Sequence, residues 1–380
     1  MTQDPTDTQA TAAPLRSDGA DSPARPETPK SGRRNSRLPG FVQSSAGILA
    51  ATILLFVASG LLQPQSLGSS ALSGMLPFAA ILAIVSLGQT LVIQQGGIDL
   101  SVPGVVSLSA VIVSYYAVNH QGPGGPALGT AILCAYAAAL VAGVINGLLV
   151  SIAGVAPIVA TIGMNALLYG VNLKISGGTP VSTPEAMTRF ANAKIFGVTV
   201  LAGLAVLIAA ALIFLIKKTV FGRRFEAAGA SPRAARAAGL TSGRYQIAAY
   251  AGAALLYCTG GVLLGGIMQL PSAFQGDTYL MPSIAAVVLG GTSLFGGSGN
   301  LAATVIAALF LTQLQQLVLT TGASIGVQYL FQGAAIIVGV GVYSINLREL
   351  KTQVLTLLGV SRRETINTTS RRSGRTFQTH

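Results

Sequence analysis

The feature that most constrains this chain is a series of apolar stretches, many of which reach the length of a membrane-crossing helix. About 20 helical residues cover the roughly 30 Å of hydrocarbon in a bilayer, whereas barrel strands would alternate apolar and polar residues over about ten. Because lipid offers no hydrogen-bond partners to the backbone, each stretch must satisfy its own peptide groups. With 51% hydrophobic and 9% charged residues, the chain is predicted to be an all-α, polytopic transmembrane helical bundle.

Ten stretches are predicted to span the membrane. The weakest is 281–296, because it is short and ends in the glycine-rich "LGGTSLFGGSGN"; it is either a full span or a broken, re-entrant element that is tolerated only inside protein. The predicted spans are 45–63, 72–94, 100–118, 127–150, 153–174, 198–216, 246–269, 281–296, 300–321 and 325–345. They form a membrane domain of residues 45–345, between a disordered tail of residues 1–44 and a basic tail of residues 346–380.

The net charge of +12 comes from basic residues that cluster in the two tails and in a central basic segment, residues 221–244 with Lys217 and Lys218 just before it. Basic segments next to spans stay in the cytoplasm during insertion. Both termini and the central basic segment are therefore predicted to be cytoplasmic, and six spans before the segment and four after it satisfy that rule. We expect a multi-pass protein of the cell membrane whose basic residues meet lipid headgroups, so nucleic-acid binding is not needed to explain the charge.

The chain lacks the residue patterns of nucleotide-binding, hydrolytic and metal sites. Residues 291–297, "GTSLFGG", have the glycine spacing of a phosphate-binding loop but not its lysine. The only histidines are His120 and His380, and no motif has the spacing of a metal site. The chain is therefore expected not to be an enzyme and to bind no cofactor or metal itself.

The central basic segment, "FGRRFEAAGASPRAARAAGLTSGR", predicts a helix of about two turns. Ser231 is a suitable N-cap, Pro232 suits the first turn, and Gly239 suits a left-handed end. Arg233 and Arg236 would share one face of this helix. The segment is either a charged linker at the lipid headgroups or a helix that docks another protein on the cytoplasmic face.

Five stretches together resemble the permease subunits of bacterial ABC importers for monosaccharides, the ribose, xylose and galactoside class. The resemblance covers roughly residues 45–345, with the stretches in the same order and spacing. They are "LGQTLVIQQGGIDLSVPGVVSLSA" at 87–110, "INGLLV" at 145–150, "VAPIVATIGMNALLYGVNLKISGGTPV" at 155–181, "GRRFEAAGASPRAARAAGL" at 222–240 and "DTYLMPSIAAVVLGGTSLFGGSGN" at 277–300.

This resemblance implies a permease domain in residues 45–345 that pairs with a second permease copy as a homodimer or heterodimer. It also implies an ABC ATPase that holds ATP and magnesium on its own chain, and an external sugar-binding protein. The helix of residues 231–239 resembles the coupling segment, although Pro232 stands where the broader Glu-Ala-Ala motif has glycine. The implied ATPase-coupling residues are Glu226, Ala227, Gly229, Ser231, Pro232, Arg233, Arg236 and Gly239, with force passing into the sixth and seventh spans.

A neutral sugar presents hydroxyl groups, so its route needs amide and hydroxyl partners rather than buried charge. Each such side chain could instead make an interhelical hydrogen bond, worth about 0.6 kcal/mol. The candidate pathway residues are Gln89, Thr90, Gln94, Asp99, Asn146, Asn165, Gln313 and Gln315.

Asp99 in "QQGGIDLS" has two possible roles. It could cap the next helix after a glycine turn, or it could line a hydrated pathway in a broken helix. In an alternative class, an ion-gradient-driven secondary carrier, Asp99 would be the coupling residue. The transported compound could be a sugar, a polyol or an autoinducer.

Overall fold

The computed structural model describes residues 40–119 and 127–344 and confirms the all-α bundle. In these ranges the chain forms thirteen α-helices, one 3-10 turn at Pro64–Leu67 and one small hairpin. The helices are α1 Gly40–Leu62, α2 Ser69–Gln94, α3 Val102–Asn119, α4 Ala127–Ser151, α5 Pro157–Ser176, α6 Glu185–Asn192, α7 Val200–Lys218, α8 Val220–Ala230, α9 Pro232–Ala237, α10 Ser242–Met268, α11 Asp277–Leu289, α12 Leu301–Thr320 and α13 Ile325–Ser344; the strands are β1 Lys194–Ile195 and β2 Val198–Thr199.

Each predicted span overlaps a helix, although the predicted span 281–296 is helical only as far as Leu289. Among the described residues, seven of these helices, α1, α2, α4, α5, α7, α10 and α12, are long and apolar enough to cross a membrane. Helix α1 begins at Gly40, so its first turn takes up the last residues of the predicted N-terminal tail. The rest of that tail and the predicted tail 346–380 lie outside the described residues.

Helix α2 lies at the centre of the bundle. Its most apolar window is 89% buried, whereas those of α1, α4, α5 and α7 are at most 28% buried and leave large apolar side chains exposed. Such side chains belong against lipid. Helix α10 packs against α2, α3 and α4, and its Gly261 approaches α3 so closely that a Cβ there would lie 2.3 Å from the oxygen of Val106. Small residues of this kind let membrane helices approach backbone to backbone.

The weakest predicted span is a broken element. Helix α11 has 13 residues, about 20 Å of helix, which is too short to cross the hydrocarbon alone. The irregular stretch before it lies inside the protein: Ser107 Oγ accepts a 2.8 Å hydrogen bond from the backbone nitrogen of Gly276, and Asn172 Nδ2 donates to the oxygen of Ala273 at 2.6 Å. Irregular backbone at this depth is tolerated because the protein supplies such partners.

Residues 176–197, between the predicted fifth and sixth spans, contain a short helix and the start of a hairpin. Helix α6 packs against α10, and β1 pairs with β2 in antiparallel register, Ile195 opposite Val198. Phe196 and Gly197 form the turn with φ of +50° and +82°. The side chain of Phe196 is fully exposed.

Candidate functional site

The central basic segment forms the predicted helix with the predicted ends. Helix α9 starts at Pro232, and Ser231 Oγ accepts a 3.3 Å hydrogen bond from the nitrogen of Ala234. Gly239 adopts φ of +78°, and the nitrogen of Leu240 donates to the oxygen of Ala235 at 2.9 Å. This satisfies carbonyls that the last helical turn would leave open.

The predicted coupling residues differ in what they touch. The side chains of Arg233 and Arg236 are exposed, as are Ala227, Pro232 and Gly239. Glu226 is half-buried, and its Oε1 lies 2.5 Å from Lys217 Nζ at the end of α7. The segment therefore presents positive charge outward while an ion pair connects α8 to α7.

Gly229 places the segment against the central helix. A Cβ at Gly229 would lie 2.0 Å from the carbonyl oxygen of Gln94, the last residue of α2. Gln95 Nε2 donates a 2.9 Å hydrogen bond to the oxygen of Phe225 in α8. The segment also contacts α7 and α10, the predicted sixth and seventh spans, and the force path through them stays a prediction. The additional contact with α2 was missed, and the only sequence signal for it is a glycine inside a helical pattern.

Asp99 is buried, 1% exposed, and stabilises the start of α3. Its Oδ1 accepts hydrogen bonds from the nitrogen of Ser101 at 2.9 Å and from the Ser101 hydroxyl at 2.6 Å. Asn146 Nδ2 donates to Ser101 Oγ at 3.0 Å, which extends the network to α4. Gly96 has φ of +77° at the end of α2. These contacts form an Asx turn on Ser101, the residue that directly precedes α3, so the Asp99 carboxylate holds the turn before the helix rather than occupying the N-cap position itself.

The Asp99 backbone is held by Gln89 of α2. The orientation of the Gln89 amide follows from the groups around it. Its nitrogen donates to Asp99 O at 3.3 Å and to Tyr257 Oη at 2.8 Å, and its oxygen accepts from Asp99 N at 3.3 Å. A buried amide is assigned from its partners in this way. Gln89 therefore ties the loop to α2 and α10.

Most of the remaining pathway candidates are also interior. Thr90 Oγ1 donates to the oxygen of Ser86 at 2.8 Å, and Asn165 Oδ1 accepts from the nitrogen of Gly104 at 2.8 Å. These bonds hold helices and loops. Gln89, Thr90, Gln94, Asp99, Asn146 and Gln313 are each at most 1% exposed and do not line the cavity described next.

Gln315 differs, because it lines a cavity of about 330 Å³ between α2, α10, α11 and α12. This volume falls at the lower end of the range for small-molecule sites. The polar lining consists of amides and hydroxyls, several of which the sequence did not single out. The lining residues are Gly74, Met75, Phe78, Leu82, Leu264, Gln275, Thr278, Tyr279, Pro282, Thr312, Gln315, Gln316 and Leu319.

The cavity has an interior floor and an open rim. Met75, Tyr279 and Thr312 are buried, whereas Thr278 and Gln315 are exposed. None of the thirteen lining residues carries a formal charge. Such a surface can hydrogen-bond a neutral hydroxylated molecule on the amides and pack its apolar face on Phe78 and Tyr279. It offers no counter-charge to an ionised one.

Comparison with known proteins gives a family match over most of the chain. Residues 71–340 match the family described as "Branched-chain amino acid transport system / permease component". No solved structure matches the chain.

Three curated relatives align with this chain over most of its length and most of their own. The probable ABC transporter permease protein y4mJ of Sinorhizobium fredii is 32% identical over 315 residues, 82% of this chain and 93% of that protein. The ribose import permease protein RbsC of Bacillus subtilis is 31% identical over 304 residues, 79% and 92% respectively. The autoinducer 2 import system permease protein LsrC of Escherichia coli is 32% identical over 277 residues, 72% and 80%. These relatives are transport components rather than enzymes.

Proposed function

The chain belongs to this family of ABC importer permease components, and from that premise we propose that it carries a monosaccharide or related polyol across the inner membrane. The observation that carries this proposal is the uncharged lining of the cavity, with Gln275, Gln315 and Gln316 among its amides. A zwitterionic amino acid would lose hydration of two charges there without compensation. A neutral sugar would exchange water for amide and hydroxyl partners.

In this proposal the energy comes from a separate ABC ATPase, which holds ATP and magnesium on its own chain. The exposed positive face of α9 is its docking point, with Arg233 and Arg236 outermost, and Glu226, Ala227, Gly229, Ser231, Pro232 and Gly239 shape the segment. Closure of the ATPase would push this segment against α7, α10 and the end of α2. The central basic segment and both termini then face the cytoplasm, as the charge distribution requires.

The position of the cavity is an argument for a second permease copy as a further partner. Its rim at Thr278 and Gln315 is exposed on the flank of the chain, and an amide in hydrocarbon without a partner is unfavourable. A second copy, identical or homologous, would cover the rim and leave a pathway between the two. An extracytoplasmic binding protein would deliver the sugar, and the lining's lack of charge suits a route that releases its cargo.

The test is reconstitution of the permease with its ATPase in proteoliposomes, with the binding protein supplied outside. We expect uptake of a neutral pentose, hexose or polyol that requires both ATP and binding protein. Uptake of leucine or valine in place of sugars would contradict the proposed substrate class. Uptake driven by a proton or sodium gradient without ATP would contradict the proposed mechanism in favour of the gradient-driven carrier.

A further inference from the structure

The glycine-rich sequence after α11 folds into a tight turn of residues 293–298, which we call the 293–298 turn. The nitrogen of Ser293 donates to the oxygen of Ser298 at 3.2 Å, and the nitrogen of Gly296 donates to the oxygen of Ser293 at 3.2 Å. Ser293 Oγ accepts from the nitrogen of Phe295 at 3.3 Å. Gly296 and Gly297 have φ of +89° and +85°, which glycine adopts without steric cost. The turn is therefore held in one conformation by its own bonds.

This turn lies against the junction of α8 and α9. A Cβ at Gly296 would lie 2.7 Å from the oxygen of Gly229, and a Cβ at Gly297 would lie 2.6 Å from the Cα of Ala230. Gly229 and Ala230 are the last residues of α8, and only Ser231 separates them from α9. The 293–298 turn therefore lies next to the start of α9, whose Arg233 and Arg236 are exposed.

The top of the turn consists of two exposed apolar side chains. Leu294 is 44% exposed and Phe295 is 96% exposed. Burial of a phenylalanine side chain in an apolar pocket is worth about ten- to a hundredfold in affinity, and a rigid turn presents it with little further loss of conformational entropy. An aromatic side chain on a rigid support beside arginines is the composition typical of an interface anchor.

The position of the turn argues for a protein partner rather than lipid. The turn is bonded to the end of α2, which is the most deeply buried of the membrane-length helices, whereas large exposed apolar side chains are concentrated on α1, α4, α5, α7 and α13. Phe295 is therefore held beside the buried end of α2 and the end of α8 rather than on one of those helices. Its turn lies next to the start of α9, which carries Arg233 and Arg236.

We propose that Leu294 and Phe295 form a second, apolar contact with the ATPase subunit. In this contact Phe295 enters a pocket on the ATPase, next to the ATPase carboxylates that bind Arg233 and Arg236. This inference rests on the proposed docking of an ATPase at α9. The ATPase then touches two elements, α9 and the turn that follows α11. Movement of the partner would act on the central and broken helices directly as well as through α7 and α10.

The experiment uses the full chain, co-expressed with its ATPase, and compares Phe295→Ser with Phe196→Ser. Phe196 is an equally exposed aromatic at the tip of the hairpin. The predicted sixth span, α7, separates this hairpin from the central basic segment, so Phe196 is expected on the opposite side of the membrane and is a matched control for loss of surface hydrophobicity. We expect Phe295→Ser to weaken retention of the ATPase by about tenfold or more. Phe295→Leu should retain most of the binding, and Phe196→Ser should behave as the parent. Monodisperse elution and an unchanged Tm show that each variant is folded.

A photoreactive benzoylphenylalanine at position 295 identifies the occupant. An adduct with the ATPase subunit is expected. An adduct only with lipid, with the second permease copy or with another part of the same chain would overturn the proposal, as would no adduct at all.

The double charge reversal Arg233→Glu with Arg236→Glu separates this inference from the proposed function. If the reversal releases the ATPase and Phe295→Ser does not, the apolar contact is wrong while the docking at α9 stands. If neither change weakens ATPase binding, both proposals are wrong.

Discussion

The backbone nitrogen of Gly297 donates a 2.8 Å hydrogen bond to the carbonyl oxygen of Gln94, the last residue of α2. The same oxygen faces Gly229 of α8. The loop after α11, the central basic segment and the central helix therefore meet at one carbonyl group. Helix α2 has 26 residues, about 39 Å of helix, and its other half lines the cavity with Gly74, Met75 and Phe78. A displacement at Gln94 would reach Phe78 in the cavity lining along α2, whereas Pro77 interrupts the hydrogen-bond ladder of the helix before Met75 and Gly74.

Substitution of Gly229 should disturb this junction. In Gly229→Ala, the new Cβ would lie 2.0 Å from Gln94 O, so α8 must move away from α2 at a cost of about 1–3 kcal/mol. We expect a lowered Tm in detergent and ATP-driven uptake reduced by about tenfold. Gly203→Ala in α7 is the control, because a Cβ there meets no atom within 4 Å; its Tm should be unchanged or higher. Equal behaviour of the two variants would contradict a close contact between α8 and α2.

Asp99 should act through its hydrogen bonds rather than by carrying a proton. Asp99→Asn keeps one acceptor for Ser101 and should retain ATP-driven uptake within about twofold. Asp99→Ala leaves the Ser101 donors unpaired, at about 1–3 kcal/mol for a buried group, so we expect a lower Tm and less folded protein. The measurements are uptake in proteoliposomes and thermal unfolding. Abolished uptake in a stable Asp99→Asn protein would instead assign Asp99 to transport.

Gln315 is the pathway candidate that the cavity supports. Gln315→Leu removes two donors and an acceptor from the lining, and a site built to hydrogen-bond hydroxyls loses affinity when its partners are absent. We expect sugar uptake to fall by about tenfold while ATPase retention stays unchanged. Gln65→Leu, in the exposed 3-10 turn before α2, is the matched control. A Gln315→Leu protein that transports like this control would exclude the cavity from the route.

Accessibility of introduced cysteines tests the proposed orientation. Ala234 in α9 and Phe196 in the hairpin are exposed, and the native Cys134 and Cys258 would first be replaced by alanine. With a membrane-impermeant maleimide on intact spheroplasts, we expect Phe196→Cys to react and Ala234→Cys to react only after permeabilisation. The reverse pattern would place the central basic segment outside and remove the proposed ATPase contact.

The sequence alone determined the helices and their ends, because both depend on interactions between residues that are close together in the chain. Apolar stretches of membrane length had to become helices, and Ser231, Pro232 and Gly239 specified the ends of α9 through bonds within a few residues. The glycine-rich end of the stretch 281–296 suggested a broken element, and α11 is one. The family resemblance also depended only on the order of residues, so it could be recognised without a fold.

Tertiary structure decided which polar side chain faces another helix and which faces a space. Gln313 and Gln315 are two positions apart in one helix, so the sequence treats them alike, yet Gln313 is buried in the bundle and Gln315 lines the cavity. The contacts of Gln94 with Gly229 and Gly297 join residues more than a hundred positions apart. Such contacts depend on how helices pack, and only the assembled bundle specifies that packing.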